Sequence, residues 1–217
     1  MIKIENINVF GWGSAIQGMR NPMNSWSNSD SNWGIKEDPS MINPDDEVYF
    51  VVGDKDLSLM KRLSKAGNDH AKFLRMIHVQ CDITAPLYWI AEHDTYKVGT
   101  TRNSCSFMHK GVSKPFELSD FSINKGEENR FIPIIEELNK LREVYISQKN
   151  EETFQLIRQL VPSGYNQRYT WDANYQVLKN IYWARRNHRL PEWHDFCDWC
   201  LTLPYFKEIC VDPFIEE

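Results

Sequence analysis

The sequence predicts an α+β fold, with strands early in the chain and helices in its second half. Residues 1–10 alternate apolar and polar side chains, as a strand with one buried face does. Residues 131–149 instead place apolar side chains at helical spacing, among them Ile135, Leu138 and Leu141. A chain of 217 residues with 41% hydrophobic content can bury one good core. We therefore expect a single domain over residues 1–217.

The segment between the first strand and the first helix is predicted to be a loop. Residues 11–34 are rich in Gly, Asn and Ser and show no sustained periodicity. A helix is then expected over residues 54–67. Asp54 or Asp56 is available to cap that helix, and Gly67 is suited to end it.

A strand followed by a helix is predicted next. Residues 71–83 alternate roughly and are rich in β-forming side chains, which favours a strand. Residues 84–94 read as a helix, because Pro86 suits a first helical turn. Beyond the long helix, the same patterns predict three more helices over residues 151–162, 171–190 and 191–206.

Composition excludes several classes of protein. The formal net charge of −5 gives no support for non-specific nucleic-acid binding, which normally needs a basic face. No signal peptide opens the chain, and no apolar run approaches the roughly 20 residues that span a bilayer. Five cysteines in an ordinary composition suit a reducing compartment. We expect a cytoplasmic protein without a membrane or nucleic-acid partner.

Aromatic and cysteine residues each allow two interpretations. The eight Trp, nine Tyr and eleven Phe fit an aromatic-rich core or interface, or rings that stack on planar ligands. Cys197 and Cys200 form one CxxC, with His194 three residues before it. Without a second pair at zinc-finger spacing, buried core thiols are favoured over metal or redox chemistry, so we expect no metal site. GxSxG, Walker A and GxGxxG motifs are absent.

Two segments are candidates for ligand binding. Residues 93–110 carry many hydroxyls, cations and a thiol, which fits either a solvated loop or the wall of a pocket for a polyanion. Asn174 and Arg185 are eleven residues apart, which on a helix means three turns, one face and roughly 16 Å. That face could hold planar ligands, or it could be an ordinary apolar stripe. Arg158 could likewise extend to solvent or face a phosphate.

Three stretches together resemble the flavin-dependent thymidylate synthases (ThyX). That family has the form EH…F…HV…AP…RQ…RHRxxSxNExSxR, followed by AR…LP and N…L…N…R. The sequence DHAKFLRMIHVQCDITAP is similar to its first part and places His70 at the active-site histidine. LIRQLVP resembles AR…LP and matches Arg158 to a nucleotide-binding arginine. NYQVLKNIYWAR resembles the last part, matching Asn174 and Asn180 to flavin-contacting asparagines and Arg185 to another nucleotide-binding arginine.

The central signature of the family is changed in this sequence. Aligning the shared Ala-Pro places Glu92 where the family has the Gln of RQ, and residues 95–97 where RHR belongs. Only Lys97 keeps a cation there, without the bidentate geometry of arginine. With one inserted residue, the N, E and final S of the motif correspond to Asn103, Ser104 and Ser106, and the closing Arg to Met108. Arg102, His93 and Lys110 are candidates to supply cations from shifted positions.

The resemblance implies a fold, an activity and a set of roles. The fold would be a central antiparallel or mixed sheet packed with helices, in a homotetramer whose sites form between subunits. The activity would be methylation of dUMP to dTMP with FAD, NADPH and methylenetetrahydrofolate; the alternative is nucleotide or flavin binding without catalysis. The implied roles are catalytic for Ser106 and His70, nucleotide-binding for Glu92, Asn103, Ser104, Arg158 and Arg185, and cofactor-binding for Lys97, Asn174 and Asn180.

Overall fold

The fold is an antiparallel sheet covered by helices, in a computed structural model that describes residues 2–35, 48–107 and 111–215. Its strands are β1 Lys3–Phe10, β2 Asn32–Ile35, β3 Val48–Val51, β4 His78–Pro86, β5 Thr100–Ser104 and β6 Asn166–Asn174. The central sheet has the order β1-β4-β6-β5, and every neighbouring pair in it is antiparallel. β2 and β3 pair with each other in a separate two-stranded sheet. The α+β prediction is confirmed.

Helices account for most of the second half of the described chain. They are α1 Trp12–Arg20, α2 Asp54–Lys65, α3 Leu87–His93, α4 Glu128–Gln148, α5 Glu151–Leu160, α6 Tyr175–Arg185 and α7 Pro191–Thr202, followed by a π-helical turn at Lys207–Val211. The expected helices over residues 54–67, 131–149 and 151–162 are therefore present. Within the described part of the chain, no helix is long and apolar enough to cross a membrane.

One face of the central four-stranded sheet packs into the main core. Alternate residues of β4 and β6 are buried there, including Ile83, Tyr169 and Trp171. Helices α1, α2, α3, α6 and α7 contribute buried apolar side chains to the same cluster. The opposite face is polar, and on it Asp82 accepts hydrogen bonds from Arg168 at 2.8 Å and Thr170 at 2.6 Å.

A smaller apolar cluster lies between α4, α5 and the segment that precedes α4. Ile135 and Leu138 of α4 pack there with Ile157 of α5, and Phe116 and Phe121 from the preceding segment complete it. The apolar stripe predicted for α4 is therefore the buried face of an amphipathic helix. That the whole chain is one domain stays a prediction.

The predicted loop over residues 11–34 is wrong in its first third. α1 occupies that region, and Trp12, Ile16 and Met19 are buried on one side of it. Gly13 and Gly18 weakened the helical signal in the sequence, because glycine has low helix propensity. Gly11 precedes the helix at φ +95°, and a Cβ there would lie 2.0 Å from the Met76 carbonyl oxygen, so only glycine fits.

The boundaries of other predicted elements also shift. The strand expected from residue 71 begins at His78, because Lys72–Arg75 form a 3-10 helix. The third late helix was expected from residue 171, but Trp171 through Asn174 belong to β6, and α6 begins at Tyr175. Alternation of buried Tyr169, Trp171 and Ala173 with more exposed neighbours is the strand period that sequence inspection missed. Pro86 ends β4 and is the N-cap residue of α3, so it lies just before the first turn.

Asp56 does not cap α2 but forms a buried ion pair. Gly53 is the N-cap residue, and Asp56 is 0% exposed. Arg20 Nε donates to Asp56 Oδ1 at 2.6 Å, and the hydroxyls of Ser29 and Ser31 donate to Oδ2 at 2.6 Å each. Burial raises the pKa of this carboxyl, but the hydrogen bonds and the Arg20 charge outweigh burial and lower it overall. The network fastens α1 and the following segment to α2.

Candidate active site

The candidate site is built where α3, α6 and α7 meet. Glu92 lies in the last turn of α3, and Arg185 is the final residue of α6. Arg185 Nη1 donates to Glu92 Oε2 at 2.9 Å, and Trp193 Nε1 of α7 donates to the same oxygen at 3.0 Å. The ion pair joins two residues that the resemblance assigned to nucleotide binding.

The Arg185 guanidinium is held on several sides. Its Nε donates to the Tyr96 hydroxyl at 2.9 Å, and its Cζ lies 4.7 Å from the centre of the Trp193 ring. The side chain is only 19% exposed, so its position is well defined by packing. Nη2 makes no hydrogen bond to the described residues and remains free to donate to a ligand.

A histidine lies beside the Glu92 carboxylate. The Leu190 backbone N–H donates to His188 Nδ1 at 3.2 Å, which places the ring proton of the neutral imidazole on Nε2. That Nε2 lies 3.5 Å from Glu92 Oε2. One carboxylate oxygen therefore faces an arginine, an indole and an imidazole, and the Arg185 charge is compensated within the protein.

A second arginine is paired in the same way beside this group. Arg102 of β5 donates from Nη1 to Asp94, the residue that follows α3. Its guanidinium stacks over the Tyr169 ring at 4.7 Å from the ring centre. The end of α3 thus supplies two carboxylates, and each of them binds one arginine.

The motif residues on and after β5 do not share one surface. Asn103 pairs with Thr170 on the polar face of the sheet, whereas Ser104 pairs with Tyr169 on the core face. Consecutive strand residues point to opposite faces, so these two side chains contact one ligand only if it wraps the strand edge. Ser106 lies elsewhere, in the wall of a cavity of about 160 Å³ that Gln167 and Arg168 also line.

His70 and Arg158 are placed away from the Glu92–Arg185 pair. His70 lies in an exposed turn after α2, and Arg158 is exposed in the last turn of α5. No hydrogen bond or ion pair joins either side chain to the other described residues. Met108, His109 and Lys110 lie outside the described residues, so the closing position of the motif has no structural account.

The three residues expected at the cofactor retain free donors. Asn174 is the N-cap residue of α6 and accepts from the Val177 N–H at 3.1 Å through its amide oxygen. Asn180 accepts from Gln176 at 3.0 Å and is exposed, as is Lys97. Each therefore keeps at least one N–H donor for phosphate or carbonyl oxygens, which fits the polar parts of FAD.

The face of α6 between Asn174 and Arg185 is core. Leu178 and Ile181 are fully buried there, and Tyr182 is nearly so. That face cannot receive planar ligands along its length, so the ordinary apolar stripe was the correct alternative. On that face, only the two ends of α6 reach a surface where a ligand could bind.

Solved structures of other proteins have a similar fold. No family model and no curated protein matches the sequence. A flavin-dependent thymidylate synthase ThyX from Helicobacter pylori, complexed with FAD and dUMP, is similar with a TM-score of 0.69 and 16% identity over 97% of this chain and 98% of that one. Another Helicobacter pylori ThyX structure, also with FAD and dUMP, gives 0.67 and 16% identity over 98% and 99%. The chain has a ThyX-like fold.

Several contact residues were not found by sequence reasoning. Tyr96, His188 and Trp193 all contact the Glu92–Arg185 pair, yet the resemblance gave a role to none of them, and Tyr96 was only aligned with the His of RHR. The only sequence signal was the high aromatic content, which does not say which rings lie near a charge. Their roles depend on contacts between α3, α6 and α7.

The CxxC cysteines are part of the core. Cys197 and Cys200 are buried, and burial raises the pKa of the Cys197 thiol to about 12. His194 is exposed and contacts the His188 carbonyl oxygen at 2.7 Å. Within residues 2–35, 48–107 and 111–215, no group of His, Cys, Asp and Glu could hold a metal ion.

Proposed function

We propose that the protein binds FAD and a dUMP-like nucleotide and catalyses FAD-dependent methylation of the pyrimidine. The observation that carries the proposal is the position of Arg185. Its half-buried guanidinium lies at the surface end of α6, and Nη2 has no partner among the described residues. The chain that carries it is similar to two ThyX structures with FAD and dUMP over nearly its whole length. A fixed guanidinium of this kind suits an anionic nucleotide.

The exposed candidates fit a site completed by a second copy of the chain. Arg158 and His70 make no side-chain hydrogen bond or ion pair with the described residues, and both lie on the surface. We propose a homotetramer in which these side chains contribute to sites between subunits, with Arg158 at the nucleotide and His70 and Ser106 as catalytic residues. Within each site, Glu92 and Arg185 orient the nucleotide, and Asn103 and Ser104 contact it from the two faces of β5, around the free edge of that strand.

FAD would be held by side chains with unused donors. Lys97, Asn174 and Asn180 supply N–H groups to its phosphate and carbonyl oxygens. When bound and reduced, FAD supplies the redox chemistry that moves the methylene group of methylenetetrahydrofolate and a hydride to the pyrimidine C5, with NADPH as reductant. The residues of this chain bind and orient the reacting groups and exclude water from around them.

A second function is favoured by one observation. Glu92 and Asp94 each neutralise an arginine, and the motif retains only Lys97 where three basic residues belong. Such a site binds phosphate more weakly than one with uncompensated arginines. A non-catalytic nucleotide- or flavin-binding protein on the same scaffold is therefore the alternative.

Spectroscopy separates the two functions. Purified full-length protein of the proposed enzyme is yellow, and its reduced flavin is oxidised faster when dUMP and methylenetetrahydrofolate are added together. Protein that binds dUMP calorimetrically but shows no flavin absorbance after incubation with FAD supports the binding function instead. Absence of both flavin absorbance and dUMP binding rules out both functions.

A further inference from the structure

A cavity of about 740 Å³ lies between the end of β1, the paired strands β2 and β3, and the segment that follows α7. Its volume is within the roughly 300–1,000 Å³ of pockets that enclose small organic ligands. β1 is the edge strand of the central sheet opposite β5. None of the residues proposed to bind the nucleotide or FAD lines this cavity. It is therefore a candidate for a second binding site.

Two pairs of aromatic rings line the cavity. Trp12 and Tyr205 pack edge to face with their ring centres 5.4 Å apart, and Trp33 and Phe50 do so at 5.1 Å. Trp33 is 65% exposed, which is more than any other of the eight tryptophans, and Ile7 on the same wall is 45% exposed. The wall thus leaves a patch of aromatic and aliphatic surface in water, and such patches often mark binding sites.

Backbone contacts hold this wall in place. The Val52 N–H donates to the Tyr205 hydroxyl at 3.1 Å, which fastens the end of β3 to the segment after α7. Tyr205 has a φ of +54°, a left-handed conformation that residues with a Cβ rarely adopt. Such a conformation persists only where the surrounding contacts fix it, and it is frequent at ligand-binding sites. The positions of the rings are therefore set before a ligand binds.

The charge on the wall favours a cation. Glu208 lines the cavity, and its carboxylate makes no hydrogen bond or ion pair with the described residues. The described wall has no lysine, arginine or histidine, and the neighbouring Lys207 directs its ammonium to Asp212 at 2.9 Å. A phosphate would find no opposite charge here. A cation would find one, together with ring faces whose quadrupole is negative.

We propose that this cavity binds a small organic cation, a substituted ammonium group attached to an apolar body. The ammonium lies between the aromatic rings and the Glu208 carboxylate, and the apolar body covers Trp33 and Ile7. Alkyl groups on the nitrogen pack against the rings, and they leave the ammonium few hydrogen bonds to satisfy in a wall that offers few acceptors. None of the lining residues lies in the stretches that resemble ThyX, so the site is independent of the proposed function.

Calorimetric titration of the full-length protein with choline, dimethylbutanol and benzyltrimethylammonium tests the site. Dimethylbutanol is the uncharged carbon analogue of choline and should bind at least about tenfold more weakly, whereas benzyltrimethylammonium should bind more tightly because its ring buries more apolar surface. Glu208→Gln and Trp33→Leu should each weaken benzyltrimethylammonium by about tenfold, or 1.4 kcal/mol. The matched controls are Glu143→Gln on an exposed position of α4 and Trp26→Leu at an exposed tryptophan outside this wall, and both should leave the affinity unchanged.

Each outcome decides a part of the proposal. Dimethylbutanol that binds as tightly as choline shows an apolar cavity without charge preference and overturns the assignment to a cation. Absence of binding by both cations, or binding that either Glu208→Gln or Trp33→Leu leaves unchanged, overturns the site. The dUMP affinity should be equal in wild type and Trp33→Leu, and a loss would place the cavity within the nucleotide site. Because Trp33 is exposed, Trp33→Leu keeps the test valid even where Glu208→Gln lowers the melting temperature.

Discussion

Replacing Glu92 with Gln should tighten nucleotide binding. Glutamine is the residue that the ThyX motif has at this position, and its amide oxygen can still accept from Arg185 and Trp193. The substitution therefore keeps the hydrogen-bond geometry of 2.9 Å and 3.0 Å but removes the carboxylate charge. An arginine without its internal counter-ion attracts a phosphate more strongly.

The size of the effect follows from the exposure of the pair. Exposed ion pairs contribute about 0–1 kcal/mol, and breaking a buried pair costs about 3–5 kcal/mol. The side chains of Arg185 and Glu92 are 19% and 35% exposed, so solvent screening reduces the interaction well below the buried range. We expect about 1–2 kcal/mol, which is a 5- to 30-fold lower dissociation constant for dUMP.

Isothermal titration of dUMP and of 2′-deoxyuridine into both proteins measures this effect. The gain should appear with dUMP and be absent with 2′-deoxyuridine, which lacks the phosphate, and it should shrink as salt is raised. Asp195→Asn removes the same charge from an exposed position on α7 and should leave the affinity within twofold. Equal or weaker dUMP binding by Glu92→Gln, or an equal gain for 2′-deoxyuridine, would refute the reasoning.

Further predictions concern stability and the remaining site residues. Asp56→Ala leaves Arg20 buried without its counter-ion. In urea titrations it should lower the free energy of unfolding by about 3–5 kcal/mol. Asp54 is exposed on the same helix, so the control Asp54→Ala should lower it by about 1 kcal/mol or less. The Asp56 pKa is lowered in the folded state, so the ionised carboxylate stabilises the fold fully above the unfolded pKa of about 3.9. This stabilisation is lost as pH falls through the folded pKa. If the free energy of unfolding depends on pH equally in wild type and in Asp56→Asn, the reasoning is wrong. Arg158→Ala and Arg185→Ala should each weaken dUMP binding by at least about tenfold in calorimetry, and unchanged affinity in both would remove the nucleotide assignment. Ser106→Ala should lower turnover in the flavin-oxidation assay, and unchanged turnover would make Ser106 a packing residue lining its cavity.

Local periodicity was enough to predict the elements that bury a single clear face. α4 and α5 carry apolar side chains at helical spacing, and β1 alternates, so each was found with nearly its observed limits. α1 was missed because its two glycines have low helix propensity and the polar residues around it weaken the apolar periodicity. β6 was merged with α6 because the strand passes directly into the helix, and Asn174 is both the last strand residue and the N-cap.

The site was predictable only where the sequence resembles a known motif. Glu92 and Arg185 were both assigned to the nucleotide, but their ion pair was not, because they are 93 residues apart in sequence. Arg102 and Asp94 are only 8 residues apart, but one lies on β5 and the other follows α3, so no helical or strand spacing predicts their ion pair. Pairing between distant charges is a property of the packed helices and strands, which no local pattern encodes.

The two internal ion pairs have a common origin that bears on function. Carboxylates at a helix C-terminus are unfavourable, since the helix dipole places partial negative charge there. Glu92 and Asp94 occupy that end of α3, so each requires a cation, and Arg185 and Arg102 supply it. An anionic ligand that reaches these arginines therefore competes with a carboxylate that is itself poorly placed. Glu92→Gln with Asp94→Asn should accordingly gain more dUMP or FAD affinity than either change alone, and a double variant no tighter than wild type would show that the acids support ligand binding.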